Sequence, residues 1–211
     1  NSEPELAKEI LRALETHFGA IESELGYTPP DSISVVLYTQ QAFADITRAP
    51  NWVGALNDGR IRVPVQGLTS LTPDLSRILK HELTHSFVQQ KTHGRAPIWL
   101  HEGIAQWIEG QRSRDNAAVL VQVYNEKQAM PLGEMENSWM QFPTPVASYA
   151  YAWALANVEY IVQTEGIDDV QKILNSIAEG SSTEAAIQEV LHLNYDELEK
   201  ETINYLKKTY M

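Results

Sequence analysis

Cysteine is absent from all 211 residues. That excludes disulfides and thiolate ligands, so any bound metal has to be held by His, Asp or Glu. Basic residues are scarce: 16 Lys and Arg stand against 28 Asp and Glu, a net charge of −12. Phosphate contacts need clustered Lys and Arg, so neither nucleic acid nor an anionic membrane is expected as a partner. No apolar run approaches the ~20 residues of a membrane span. Internal repeats, low-complexity tracts and charge blocks are missing too. The opening stretch NSEPELAKEI is polar from its first residue, with neither a signal-peptide pattern nor an initiator Met. The expectation is a processed or trimmed chain, with room for a leader or another domain ahead of it.

What is present reads as an ordinary globular protein, 43% hydrophobic and 21% charged. Leu6, Ile10, Leu14, Phe18, Ile21 and Leu25 recur at helical spacing, with Gly26 placed to end the helix. The β-branched, apolar run from Ile33 to Tyr38 predicts a buried strand. QQAFADITR predicts a short helix. WVGALNDGRIRVPV predicts two strands turning at Asp58-Gly59, the second an edge strand because Pro64 has no ladder donor. Thr72-Pro73 opens a helix to Lys91, and Ala96-Pro97 opens one to Glu109. The stretch from Val123 to Thr144 has no clear period and reads as a long loop. Helices follow from Thr144 to about Glu165, Ile167 to Ala178, Thr183 to Leu191, and from Asn194, where Glu197 suits a capping box. Strands first and helices after predict an α+β fold with a small N-terminal sheet and a helical C-terminal half. The chain is expected to be one domain over 1–211, with an α/β lobe to about residue 95 and a helical lobe beyond it.

The stretch HELTH, residues 81–85, carries the chemistry. On a helix His81 and His85 stand about 40° apart and one turn on, so both imidazoles can reach one Zn2+. Glu82 projects beside them, suited to take a proton from water whose pKa a metal has lowered toward ~7. Leu75, Ile78, Leu79, Leu83, Phe87 and Val88 make this helix heavily apolar, so both histidines are expected to face the interior. The plain alternative is a helix that carries two histidines by chance.

A third protein ligand is needed, with one position left for water. His93 reads as surface. Glu102, inside the apolar run IWLHEGIAQWI, is the favoured ligand, because a carboxylate there is costly to bury unless it binds a cation. His101 is adjacent and about 100° away, so the two do not point the same way. His17 and His192 have no spacing relation to the pair and are assigned to helix surfaces. Trp52, Trp99, Trp107 and Trp139 are assigned to packing.

HELTH followed by WLHEG resembles the gluzincin metallopeptidases, in particular small peptidase-MA-like domains related to the M1 aminopeptidases. The likeness extends through DGRIRVPV and SYAYAWALANVEYIV. It implies a thermolysin-like minimal catalytic domain, a zinc cofactor and a peptide or protein substrate. It implies zinc on His81, His85 and Glu102, with Glu82 as the general base. It also implies a helper carboxylate at Glu109, seven positions past Glu102, behind a ligand histidine; a solvated helix-end Glu is the plain reading of that residue. The family's oxyanion tyrosine falls on Tyr151 or Tyr149. Tyr151, fifteen residues before Gly166, matches the family spacing.

One departure stands out. GEMEN, at Gly133 to Asn137, resembles the amine-recognition segment of M1 enzymes but lies after the zinc helix, so it is read as coincidence. The expected upstream position holds GRIRVPV, with no acidic residue for an amine. With the trimmed start, the resemblance suggests an extracytoplasmic protein, periplasmic or secreted, made as a longer precursor. The rival reading is a catalytically inactive, zinc-containing peptidase-like binding module. Oligomeric state is left open.

Overall fold

The structure, a computed structural model, describes residues 3–48, 55–65, 67–139 and 141–211. It divides into two compact units, Asn1–Gln90 and Lys91–Met211.

In the first unit, helix α1 (Glu3–Leu25) buries Leu6, Ile10, Leu14, Ile21 and Leu25, the positions its helical spacing selects. Strand β1 (Val35–Tyr38) leads through α2 (Gln40–Thr47) to β2 (Leu56–Asn57) and β3 (Ile61–Pro64). β1 is parallel to β3, β2 is antiparallel to it, and the sheet order is β1-β3-β2. Gly59 turns the hairpin at φ 95°, and its N–H donates to Asn57 Oδ1 at 3.1 Å.

β3 is therefore the middle strand of the described sheet, not the edge strand that Pro64 suggests. The register gives the reason. Ile61 and Val65 donate toward β1, to the carbonyls of Ser34 and Tyr38, each at 2.9 Å. Arg62 and Pro64 face the other way, where the described part of β2 covers only Ile61 and Arg62. Pro64 sits past that end, so its missing N–H costs no described ladder bond. β1 is half-buried along its length rather than buried, because it takes the outer position. Residues 52–54, the start of the expected hairpin, lie outside the described residues, and Trp52 with them.

Helix α3 (Pro73–Lys91) starts at Thr72, whose hydroxyl accepts the Leu75 N–H at 3.1 Å. It buries Leu75, Leu79, Leu83, Phe87 and Val88. Two contacts fix it against α1. Phe18 meets Phe87 edge-on with centroids 4.8 Å apart, and His17 Nε2 lies 2.9 Å from Ser76 Oγ. His17 is thus half-buried and bonded rather than on the helix surface.

The second unit holds α4 (Ile98–Glu109), α5 (Ala117–Asn125), α6 (Thr144–Thr164), α7 (Ile167–Glu179), α8 (Thr183–Leu191) and α9 (Tyr195–Tyr210). α6 is buried from Trp153 through Ile161 and forms the centre, as a helix apolar on most sides must. Its one buried carboxylate, Glu159, accepts the Ser113 N–H at 2.6 Å, the Tyr205 hydroxyl at 3.0 Å and the Tyr210 hydroxyl. That satisfies a charge that would otherwise be costly inside. α9 begins with a complete capping box between Asn194 and Glu197. The expected loop after Val123 is shorter than its missing period suggests: α5 runs to Asn125, and a 3-10 turn covers Leu132–Met135. Single bonds hold that turn, from Leu132 N–H to Glu199 at 2.7 Å and from Ile98 N–H to the Glu136 carbonyl at 3.1 Å.

The fold is α+β, a small sheet in the first unit and a helical lobe in the second. No helix among the described residues is long and apolar enough to cross a membrane.

Candidate functional site

In the first unit, α3 brings His81 and His85 together. Their Nε2 atoms lie 3.1 Å apart, and the rings meet edge-on at 86°. Two imidazole nitrogens on one tetrahedral zinc, each at ~2.0–2.1 Å, stand about 3.3 Å apart, so the pair is spaced as a zinc site requires. Both rings are half-buried rather than interior, and Glu82 beside them is half-buried as well. Asn57 anchors this turn of the helix. Its amide nitrogen donates to the Glu82 carbonyl at 2.8 Å and lies 2.7 Å from Ser86 Oγ. Sequence reasoning gave Asn57 only to the hairpin, which it also serves; nothing in NDG signals its second contact.

In the second unit, Glu102 lies on α4 and is half-buried, while every residue from Gly103 to Ile108 is buried. His101 points inward at 8% exposure. Loss of water lowers its pKa from 6.5 to about 4, against the opposing pull of Glu102. It is a neutral packing residue, and Glu102 is the one that keeps access to solvent. Gly103 explains the glycine of WLHEG: a Cβ there would meet the Ala154 carbonyl oxygen and Val158 Cγ2 at 2.5 Å each.

The two candidate tyrosines separate on α6. Tyr151 is 36% exposed and meets Trp139 edge-on at 5.1 Å. Tyr149 stacks on Trp153 with centroids 6.5 Å apart, and burial, aided by Glu199, raises its pKa. Glu109 ends α4, half-buried, and its carboxylate accepts from the Gln111 amide. The GEMEN segment is built into the second unit: Met135 is buried and Glu136 accepts the Tyr195 hydroxyl at 2.6 Å. Trp99, Trp107 and Trp139 are buried. His93 and His192 are exposed, both with left-handed backbones.

Each unit carries donors of a kind that metals take: the imidazole nitrogens of His81 and His85 in the first, and the Glu102 carboxylate in the second. Two nitrogens and one oxygen suit zinc in a site that keeps a position open, whereas structural zinc sites are closed, commonly by thiolates.

No curated protein and no solved structure matches the chain. A family model described as Peptidase MA superfamily matches residues 19–208, which takes in HELTH, WLHEG and both tyrosines. With the HELTH histidines paired on one helix and a match over nearly its whole length, the chain belongs to the Peptidase MA superfamily, as a gluzincin-like peptidase domain.

Proposed function

We propose that the protein is a zinc-dependent peptidase that works as one catalytic domain over residues 1–211. His81, His85 and Glu102 hold the zinc. The observation that carries the reading is the 3.1 Å approach of the two Nε2 atoms on α3, with Glu82 between the two histidines in sequence. Membership of a superfamily whose peptidases are typically metal-dependent supports it.

Zinc, when bound, supplies Lewis acidity that brings the pKa of water toward ~7. Glu82 takes a proton from the water that attacks the peptide carbonyl carbon. It then returns that proton to the amine as the C–N bond breaks. Tyr151 donates its phenol hydrogen to the carbonyl oxygen as negative charge gathers there. Its exposed position on α6 suits a group that has to meet substrate, and the buried Tyr149 hydroxyl does not. Glu109 is read as a helper carboxylate that orients a ligand histidine.

Glu82→Gln tests the assignment. The variant should bind one zinc per chain, as wild type does, and lose hydrolysis of a mixed peptide library by about 10²–10⁴-fold. Undiminished turnover with zinc retained would refute Glu82 as the base. Stoichiometric zinc in wild-type protein without cleavage of any peptide would favour a binding module instead.

A further inference from the structure

Gln106 has no part in the roles assigned above, yet its placement is unusual. It lies one turn past Glu102 on α4 and is only 5% exposed, among Ile104, Ala105, Trp107 and Ile108. A buried amide is costly unless it is bonded. Its nitrogen donates to the Glu102 carbonyl at 3.1 Å and to the Tyr151 carbonyl at 3.0 Å. An amide nitrogen has two hydrogens, and these two bonds use both. The first carbonyl belongs to the proposed metal ligand, and the second to the proposed oxyanion donor.

The helices approach closely at the same level. At Gly103, α4 comes so near the Ala154 carbonyl of α6 that even a methyl group would stand 2.5 Å from the oxygen. Gly103 sets the distance between the helices, but a smooth contact between small residues can slide. The Gln106–Tyr151 bond links particular residues of the two helices and so fixes their register.

We infer that Gln106 is a positioning residue, which locks the helical turn carrying Tyr151 against the turn carrying Glu102. The inference rests on the proposed function. Ligand and phenol then keep one spacing through the catalytic cycle, because their backbones share one side-chain clamp. Misplacement on the order of 1 Å can cost about 10²-fold in rate, so a clamp of this kind has a kinetic consequence.

The test is Gln106→Met, which keeps the length of the side chain and its helix propensity but removes both donors. With zinc loaded, kcat should fall about tenfold or more while KM stays within about threefold. Zinc affinity, read by chelator competition, should weaken about tenfold or more. In a Tyr151→Phe background the same substitution should lower kcat by less than about threefold, because there is no phenol left to misplace. A merely structural role would lower the melting temperature and leave this coupling absent. Wild-type kcat and zinc affinity in Gln106→Met, or an equal loss in both backgrounds, overturns the inference. Should Gln106→Met not fold, Gln106→Leu also removes both donors and is carried through the same cycle, with the same outcomes deciding. Wild-type protein that neither retains zinc nor cleaves peptide overturns the proposed function itself, and is read before any variant.

Discussion

Tyr149 and Tyr151 differ by two positions, which on a helix is about 200°, so one faces inward when the other faces out. Tyr151→Phe should therefore lower kcat by about 10²-fold with KM little changed, the usual loss for one oxyanion donor. Tyr149→Phe should leave kcat within about threefold. Steady-state kinetics on the pair check this, and the reverse ranking would move the oxyanion role to Tyr149. Glu199 carries a pH dependence. Burial, with a smaller push from Asp196, raises its pKa above the ordinary 4.5, and the Leu132 N–H only partly offsets that. The folded state then holds a proton that the unfolded state has released, so stability falls as pH rises from about 4.5 through the raised pKa. Glu199→Gln should remove that fall, so the variant gains on wild type as pH climbs from 4.5 to 7. Urea midpoints across that range measure it, and parallel curves would exclude a titrating Glu199. The pairing of His81 with His85 was legible because HELTH needs only an i, i+4 spacing to bring its histidines together. Asn57 and Gln106 were not, since an amide gives no sign of which distant carbonyl it will meet.

α4 shows how packing can reverse a helix propensity. An alanine in place of a helical glycine ordinarily stabilises by about 0.5–1 kcal/mol. At Gly103 the added methyl would overlap the Ala154 carbonyl oxygen, which belongs to backbone and has little freedom to yield. Overpacking of this kind costs typically 1–3 kcal/mol. Gly103→Ala should therefore destabilise the protein by about 1–2 kcal/mol net, read from denaturant midpoints. A stabilised variant would show that α4 and α6 have more slack than their contact suggests. The helices were readable with their caps: Thr72, Gly110 and the Asn194–Glu197 box each sit at an observed end. Three elements were misjudged for want of partners, β1 among them because it takes an outer position in the sheet. Pro64 suggested an edge, but edge position depends on where β2 stops, not on the proline alone. The segment Leu132–Met135 shows no clear period because it is a single 3-10 turn: it buries only Leu132 and Met135, and separate bonds at Leu132 and at Glu136 tie it down.

Taken together, the chain is acidic, with a net charge of −12, and has no thiolate to offer a metal, so the proposed zinc would rest on His81, His85 and Glu102. A metal that binds the native state alone stabilises it by mass action. Zinc at 100 times its Kd should raise the unfolding free energy by about 2.7 kcal/mol, reversibly with chelator. His85→Ala should lose most of that gain. A melting curve indifferent to zinc would remove His81, His85 and Glu102 as ligands. The linear chain was enough to settle the α+β order of elements, the limits of most helices though not of α5, and the spacing of HELTH, since backbone periodicity and capping act over a few residues. It could not settle which strand lies in the middle of the sheet, which tyrosine encloses its hydroxyl, or that Gly103 and Gln106 join α4 to α6. Those outcomes depend on contacts between residues about fifty positions apart or on where a neighbouring strand ends, and only the packed structure specifies them.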